Sequence, residues 1–236
     1  MKYDDVMKLA LERGFYFPSC EIYSDAQAGF WEYGPAGVSL KNKFLELWRR
    51  ELLRRDKMIE IDGSQIMSSS VFEASGHLTS FADPIVRCTN CKSTHRADRI
   101  IAELAKVEIP ESADLGEFDK VIAGKNIKCP KCNGNFENTK KFNMMFQVGI
   151  GPEGEPAYLR PETCQSIFVD FPRLFKTMRG KLPLGVAQTG KSFRNEIAPR
   201  QSLLRLREFY QAEICLLYTS DAADDTPCVD LGGRRI

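Results

Sequence analysis

The chain has 236 residues, with 33 Lys+Arg against 32 Asp+Glu, 43% apolar and 28% charged side chains. That length suits one domain or at most about two, with a core that needs no disulfide staples, and the charge balance excludes a disordered, collagen-like or strongly basic nucleic-acid-coating segment. No run approaches the roughly 18 apolar residues of a membrane span, and Lys2, Asp4, Asp5, Lys8 and Glu12 interrupt the N-terminus in a way a signal peptide does not, so a cytoplasmic location is expected.

The first strong element opens at Pro35, a residue suited to a first helical position. Leu40, Phe44, Leu45, Leu47, Trp48, Leu52 and Leu53 follow at helical spacing with Lys and Arg opposite, which predicts a long amphipathic helix over 35–55. Between Lys57 and Met67 the pattern changes to near-alternation, with Glu60 separating Ile59 from Ile61. A strand is expected there, ending before Ser68-Ser69-Ser70.

From about Asp83 to Thr139 the sequence turns polar and punctuated, as an inserted module would. It contains Cys88-Thr-Asn-Cys91 and Cys129-Pro-Lys-Cys132-Asn-Gly, four of the eight cysteines. Each pair lies in turn-prone sequence, so a tight turn can aim both thiolates at one tetrahedral Zn²⁺. Four thiolates close the coordination sphere, so the expected zinc site is structural, in a zinc-ribbon arrangement. The competing reading is four reduced surface thiols. A secreted disulfide framework fits poorly without a signal peptide. Cys20, Cys164 and Cys215 read as ordinary buried or neutral cysteines.

Core-like sequence resumes with a strand over Phe142–Gly149, a turn at Gly151-Pro-Glu-Gly154, and a helix from Thr163 to Met178 that Pro172 is expected to kink or divide. Next, Gly185-Val-Ala-Gln-Thr-Gly190-Lys191-Ser192 matches the phosphate-loop pattern letter for letter. That pattern works only where a strand enters the loop and a helix leaves it, so that amides and the helix N-terminus cradle phosphate. Here the exit, Phe193-Arg194-Asn195-Glu196-Ile197, alternates like a strand, which disfavours an NTPase.

Period two puts Arg194 and Glu196 on one face of that strand and Phe193, Asn195 and Ile197 on the other. After the loop Ala198-Pro199-Arg200-Gln201-Ser202, a second strand places Arg205, Arg207, Phe209, Gln211 and Glu213 on one face. The shared face therefore gathers three arginines, an aromatic ring and two carboxylates. Such a set suits a nucleoside triphosphate: guanidiniums pair with phosphate oxygens, Phe209 stacks on a base, and a carboxylate beyond it holds an amine. The competing reading is an exposed face with cross-strand ion pairs.

Phe193-Arg-Asn-Glu-Ile-Ala-Pro-Arg-Gln201 and Arg207-Glu-Phe-Tyr-Gln-Ala-Glu213 resemble motif 2 of the class II aminoacyl-tRNA synthetases, in the form found in the dimeric glycyl-tRNA synthetases. Arg13-Gly14-Phe15, Tyr33-Gly34-Pro35, Ala74-Ser75-Gly76-His77, Arg96-Ala97-Asp98 and Arg160-Pro161-Glu162-Thr163 are similar to segments of that family in the same order.

The resemblance covers roughly residues 1–214. It implies an α+β fold, the class II antiparallel catalytic sheet with flanking helices, incomplete here, plus the zinc insert. The implied organisation is a first catalytic part with motif 1 over 1–84, the zinc-binding insert over 85–141, and a second catalytic part with motif 2 over 142–214. The implied reaction forms glycyl-adenylate from glycine and ATP with Mg²⁺, then transfers glycine to the 3′ end of the glycine tRNA.

Carried over by position, the resemblance assigns catalysis to Arg194 and Glu196. It assigns ATP binding to Arg194, Asn195, Glu196, Leu204, Arg205, Arg207 and Phe209, and glycine binding to Arg96, Glu162, Phe209, Gln211 and Glu213. Arg200 would face the tRNA, and the 35–55 helix would form a homodimer interface. Cys164 and Ser166 stand where the family pattern leads one to expect Ala and Gly.

Residues 215–236 depart from the family pattern and look like a translated sequencing adapter, which implies a non-native tail on a truncated gene product of little activity by itself. A non-catalytic tRNA- or zinc-dependent binding fragment is the alternative.

Overall fold

A computed structural model describes residues 3–110, 112–199 and 202–218. The chain divides into two compact units: one comprises residues up to Val71, Phe146–Arg194 and those from Pro199 on, the other Phe72–Met145 and Asn195–Ala198.

In the first unit, helix α1 (Tyr3–Glu12) leads to β1 (Tyr16–Pro18), which pairs antiparallel with β2 (Trp31–Tyr33). Helix α2 (Pro35–Trp48) starts directly afterwards, with Pro35 in its first turn. Two glycines allow the close approach. A Cβ on Gly34 would lie 2.2 Å from the Gly14 carbonyl oxygen, and one on Gly37 would lie 1.9 Å from that of Phe15. A π-helical turn (Arg49–Arg54) continues α2, so the helix expected over 35–55 is present with a wider last segment.

Instead of the single strand expected between Lys57 and Met67 there are two, β3 (Ile59–Ile61) and β4 (Ile66–Ser68). They join different sheets: β3 pairs parallel with β10 (Leu184–Phe193), and β4 pairs antiparallel with β9 (Glu155–Leu159). The polar stretch Asp62-Gly63-Ser64-Gln65 separates them, but nothing in it shows which sheet each strand joins.

The second unit carries α3 (Ser69–Ala74) from Phe72 on, then α4 (His77–Ser80), β5 (Ala82–Arg87), β6 (Thr94–Arg96), α5 (Ala97–Ala105), α6 (Leu115–Gly124) and β7 (Lys140–Asn143). Strand β5 is central between β6 and β7, both antiparallel to it. Val86, Ala97, Ile100, Ile101, Phe118 and Ile127 form the core. The Asp114 carboxylate caps α6 by accepting from the Gly116 N–H at 3.1 Å.

Back in the first unit, β8 (Phe146–Ile150) and β9 form a hairpin around the expected turn, where Gly151 and Gly154 take positive φ of 69° and 67°. The strand expected over Phe142–Gly149 is thus divided between β7 and β8. Helix α7 (Cys164–Thr177) matches the expected range and runs through Pro172 without dividing. After β10 come a 3₁₀ turn (Ser202–Leu204) and β11 (Glu208–Leu217). Ten residues of β10 pair antiparallel with β11, and Ile167, Val186 and Cys215 anchor the core between this sheet and α7.

Residues 215–217, which the sequence reading gave to the tail, complete β11; residues 219–236 lie outside the described residues. Cys215 is buried as expected, whereas Cys20 is exposed. Among the described residues no helix is long and apolar enough to cross a membrane.

Candidate active site and cysteine cluster

The phosphate-loop pattern lies wholly inside β10, where Gly190 sits opposite Gln211 on β11. No helix leaves it. A Cβ on Gly190 would lie 2.2 Å from Arg160 Nη2, so the glycine makes room for a guanidinium, and the NTPase reading has no structural basis.

The register places Ser192 opposite Phe209, Gly190 opposite Gln211 and Gln188 opposite Glu213. One step further, the Arg194 N–H donates to the Arg207 carbonyl at 2.9 Å. Directly opposed residues project to one side of a sheet, so Arg194, Phe209, Gln211 and Glu213 share a face. The Arg194 guanidinium carbon stands 5.5 Å from the centroid of the Phe209 ring, and its Nε donates to the Pro161 carbonyl at 3.1 Å. Ser192 Oγ donates to Gln211 Oε1 at 3.1 Å.

Beyond this platform lie two carboxylates. Glu162, only 8% exposed, accepts from Gln165 Nε2 at 2.6 Å and from the Cys164 thiol at 3.0 Å. The Thr163 hydroxyl donates to the Glu213 carboxylate. Burial pushes the Glu213 carboxyl above its ordinary pKa; the Thr163 hydrogen bond opposes that, the Glu162 charge adds to it, and the Arg160 charge opposes it. Burial and the same two carboxylates push the Cys164 thiol up, so it stays a neutral donor to Glu162.

Arg160, 1% exposed, is the cation behind the pair. Its Nε donates to the Lys191 carbonyl at 2.8 Å and its Nη1 to the Gly63 carbonyl at 2.9 Å, which ties the β3–β4 connection to β10. The two carboxylates, Glu162 buried and Glu213 half-buried, attract positive charge, and the donors around them hold both acids in place.

In the second unit, the Sγ atoms of Cys88, Cys91, Cys129 and Cys132 all lie within 4.8 Å of one another. Cys88 and Cys132 stand 3.4 Å apart and Cys91 and Cys129 3.7 Å apart. A tetrahedral zinc–thiolate centre with bonds of about 2.3 Å has sulfur–sulfur edges of about 3.8 Å, so the cluster has the dimensions and the soft donors of such a centre. Backbone bonds shape each knuckle: the Cys88 N–H donates to the Ser93 carbonyl at 2.9 Å and the Cys129 N–H to the Gly134 carbonyl at 3.0 Å. The Ser93 hydroxyl bond draws the Cys91 thiol pKa down.

No family model matches the chain. Over 213 residues it is 47% identical to the glycine-tRNA ligase of Methanocaldococcus jannaschii and 46% identical to that of Methanococcus maripaludis strain C6, covering in each case 90% of this chain and 37% of the relative. Nine-tenths of this chain is homologous to glycine-tRNA ligases. The Aeropyrum pernix glycine-tRNA ligase is 44% identical over 210 residues, with 88% of this chain and 36% of the relative covered. The chain thus spans a little over a third of the length of the ligases it matches.

Among solved structures, the RNA-binding domain of threonyl-tRNA synthetase from Cryptosporidium parvum Iowa II has a TM-score of 0.51 at 20% identity, covering 90% of this chain and 36% of that one. Prolyl-tRNA synthetase from Cryptosporidium parvum, complexed with halofuginone and AMPPNP, has a TM-score of 0.52 at 11% identity, covering 91% and 29%. At these identities the likeness is one of fold, and it agrees with the expected α+β class II architecture.

The structure therefore brings Glu162, Arg194, Phe209, Gln211 and Glu213 together within the first unit. It departs from the expected strand after Phe193: β10 ends there, and Asn195–Ala198 belong to the second unit, where the Asn195 N–H donates to the Met144 carbonyl at 2.8 Å. Arg96, also in the second unit, binds Asp98 through Nε at 3.0 Å and Nη2 at 2.8 Å, and Asp83 through Nη1 at 3.1 Å. Arg207 Nη1 donates to the Ala28 carbonyl at 2.9 Å, so its guanidinium braces the chain before β2. Leu204 is 74% exposed, Arg205 half-buried, and Arg200 lies outside the described residues. Sequence reasoning gave no role to Arg160, Thr163, Gln165 or Ser192. The juxtaposition of Arg160 with Glu162 was visible, but nothing local distinguishes a buried arginine from a surface one.

Proposed function

We propose that this chain supplies the amino-acid- and ATP-binding core of a glycine-tRNA ligase. The observation that carries the reading is the pairing of buried Glu162 with half-buried Glu213 beside the Arg194–Phe209 platform. Glycine has no side chain to grip, so its ammonium group must supply much of the recognition, and the two carboxylates meet that need.

In the first step a glycine carboxylate oxygen bonds to the α-phosphorus of ATP and the bond to pyrophosphate breaks. Arg194 offsets the charge that develops on the α-phosphate, Phe209 stacks on adenine, and Arg205 reaches the outer phosphates. Bound with ATP, Mg²⁺ neutralises phosphate charge. In the second step a hydroxyl at the 3′ end of the glycine tRNA attacks the acyl carbon and AMP leaves. Gln211, held by Ser192, lines the pocket with the carboxylates. The roles of Arg96, Asn195, Glu196, Leu204, Arg207 and Arg200 rest on resemblance alone. An added methyl on the substrate is rejected by overlap in a rigid pocket rather than by a lost contact.

The four cysteines hold a structural Zn²⁺ in this reading. The apolar residues that α2 exposes, with Leu40 and Phe44 each 60% and Leu47 46% exposed, form the interface with a second copy. A cytoplasmic location accords with reduced cysteines.

The test is binding of 5′-O-(glycylsulfamoyl)adenosine, a non-hydrolysable analogue of glycyl-adenylate, to this chain. Binding that falls about 30-fold or more in Glu162→Gln, equivalent to the ~2 kcal/mol or more of a truncated buried ion pair, supports the assignment. No binding, or equal binding by Glu162→Gln and Arg194→Ala proteins, removes it.

A further inference from the structure

Ser93 lies between the two cysteine knuckles. Its hydroxyl oxygen is 3.0 Å from Cys91 Sγ, 3.4 Å from Cys129 Sγ and 3.0 Å from His95 Nε2. A serine hydroxyl has one proton to give and lone pairs to receive with. These distances are met when the His95 Nε2–H donates to Ser93 Oγ and the Ser93 O–H donates to Cys91 Sγ, the nearer sulfur.

The backbone holds both side chains in place. The Ser93 carbonyl accepts from the Cys88 N–H at 2.9 Å, His95 sits on β6 opposite Val86, and its ring packs edge-on against Phe136 with centroids 5.9 Å apart. His95 Nε2 is also 3.9 Å from Cys129 Sγ, so the imidazole lies along the cluster without replacing a thiolate.

Four thiolates around one divalent cation leave two net negative charges, and a partly buried centre needs donors to offset them. Cys91 is the exposed member of its knuckle and Cys88 the buried one, so packing constrains the Cys91 sulfur less than its partner's. We propose that Ser93, oriented by His95, is a positioning residue for the metal: it donates to the Cys91 sulfur, holds it toward the shared centre and offsets part of its charge. This rests on the four-thiolate reading above.

The experiment is Co²⁺ titration of the full chain followed by absorption, with Zn²⁺ affinity measured by chelator competition. Ser93→Ala should weaken Zn²⁺ binding roughly 10-fold to 100-fold and move the sulfur-to-cobalt charge-transfer band to longer wavelength, because an unbonded thiolate is the better electron donor. Ser93→Thr should restore both. His95→Phe, which keeps a ring against Phe136, should change both in the same direction by less. Ser93→Ala protein with unmodified affinity and band overturns the proposal and leaves the metal site standing. Weaker binding with an unmoved band, or without rescue by threonine, also overturns it by reducing Ser93 to a folding role. If the unmodified chain shows no sulfur-to-cobalt band, the four-thiolate reading falls and the proposal with it.

Discussion

The Thr163 hydroxyl donates to the Glu213 carboxylate, and this bond joins the start of α7 to β11 across 50 positions of sequence. It is one of the few groups favouring ionised Glu213, since burial and the neighbouring Glu162 both raise its pKa. An ammonium ligand needs Glu213 ionised. Affinity for the glycyl-adenylate analogue should therefore fall with decreasing pH at a higher pH than an ordinary carboxylate would give. Thr163→Val, which removes the donor, should move that acid limb higher still. Dissociation constants measured from pH 4 to 8 check this, and superimposable profiles for the two proteins would count against it.

The same shift has a consequence for stability. The folded-state pKa of Glu213 lies above its unfolded value, so folding favours the protonated acid. Its destabilising contribution is absent below the unfolded value, grows as pH rises through that value to the folded one, and is constant above it. Glu213→Gln should accordingly raise the unfolding midpoint at pH 7, raise it less at pH 4, and abolish analogue binding at both. Denaturant unfolding at the two pH values makes the comparison.

Gly190 and Arg160 form a close junction, with 2.2 Å between a hypothetical Cβ and Nη2. Arg160 cannot retreat without leaving the Lys191 and Gly63 carbonyls unpaired. Gly190→Ala should cost ~1–3 kcal/mol of stability, the usual penalty for overpacking a buried site. A cost under ~0.5 kcal/mol in urea unfolding would show that the guanidinium relaxes freely.

One zinc ion per chain is the expected metal content by mass spectrometry. Cys88→Ser and Cys129→Ser should each lose it, and a chelator should unfold the unit built on β5, β6 and β7 while leaving β10 and β11 protected from hydrogen exchange. Metal retained by both variants would refute the four-thiolate site.

Helix α2 exposes Leu40, Phe44 and Leu47, and the first two line a 760 Å³ groove together with Val6, Leu9 and Phe15. With a second copy as the occupant, the chain should sediment as a dimer at micromolar concentration, and Phe44→Glu should give a monomer with unchanged helix content. A monomeric unmodified chain would remove the dimer from the proposed function.

Local chemistry was legible in the sequence because it repeats over short distances. Period two put Arg194 on one face and Phe209, Gln211 and Glu213 on another that β-pairing then matched; two Cys-x-x-Cys turns declared a tetrahedral donor set; Pro35 marked the start of α2. What depends on partners far along the chain was not legible. Alternation over Lys57–Met67 could not show that β3 and β4 enter different sheets, nor could strand-like residues after Phe193 show that the ladder ends there.

The sequence by itself determined which residues could carry the chemistry, since side-chain type and short-range period need no third dimension. Only the tertiary structure decided what surrounds them. The cation behind the acidic pair, Arg160, holds Gly63 at a separation of 97 residues and Lys191 at 31, and burial with its desolvation belongs to the assembled core rather than to any local segment.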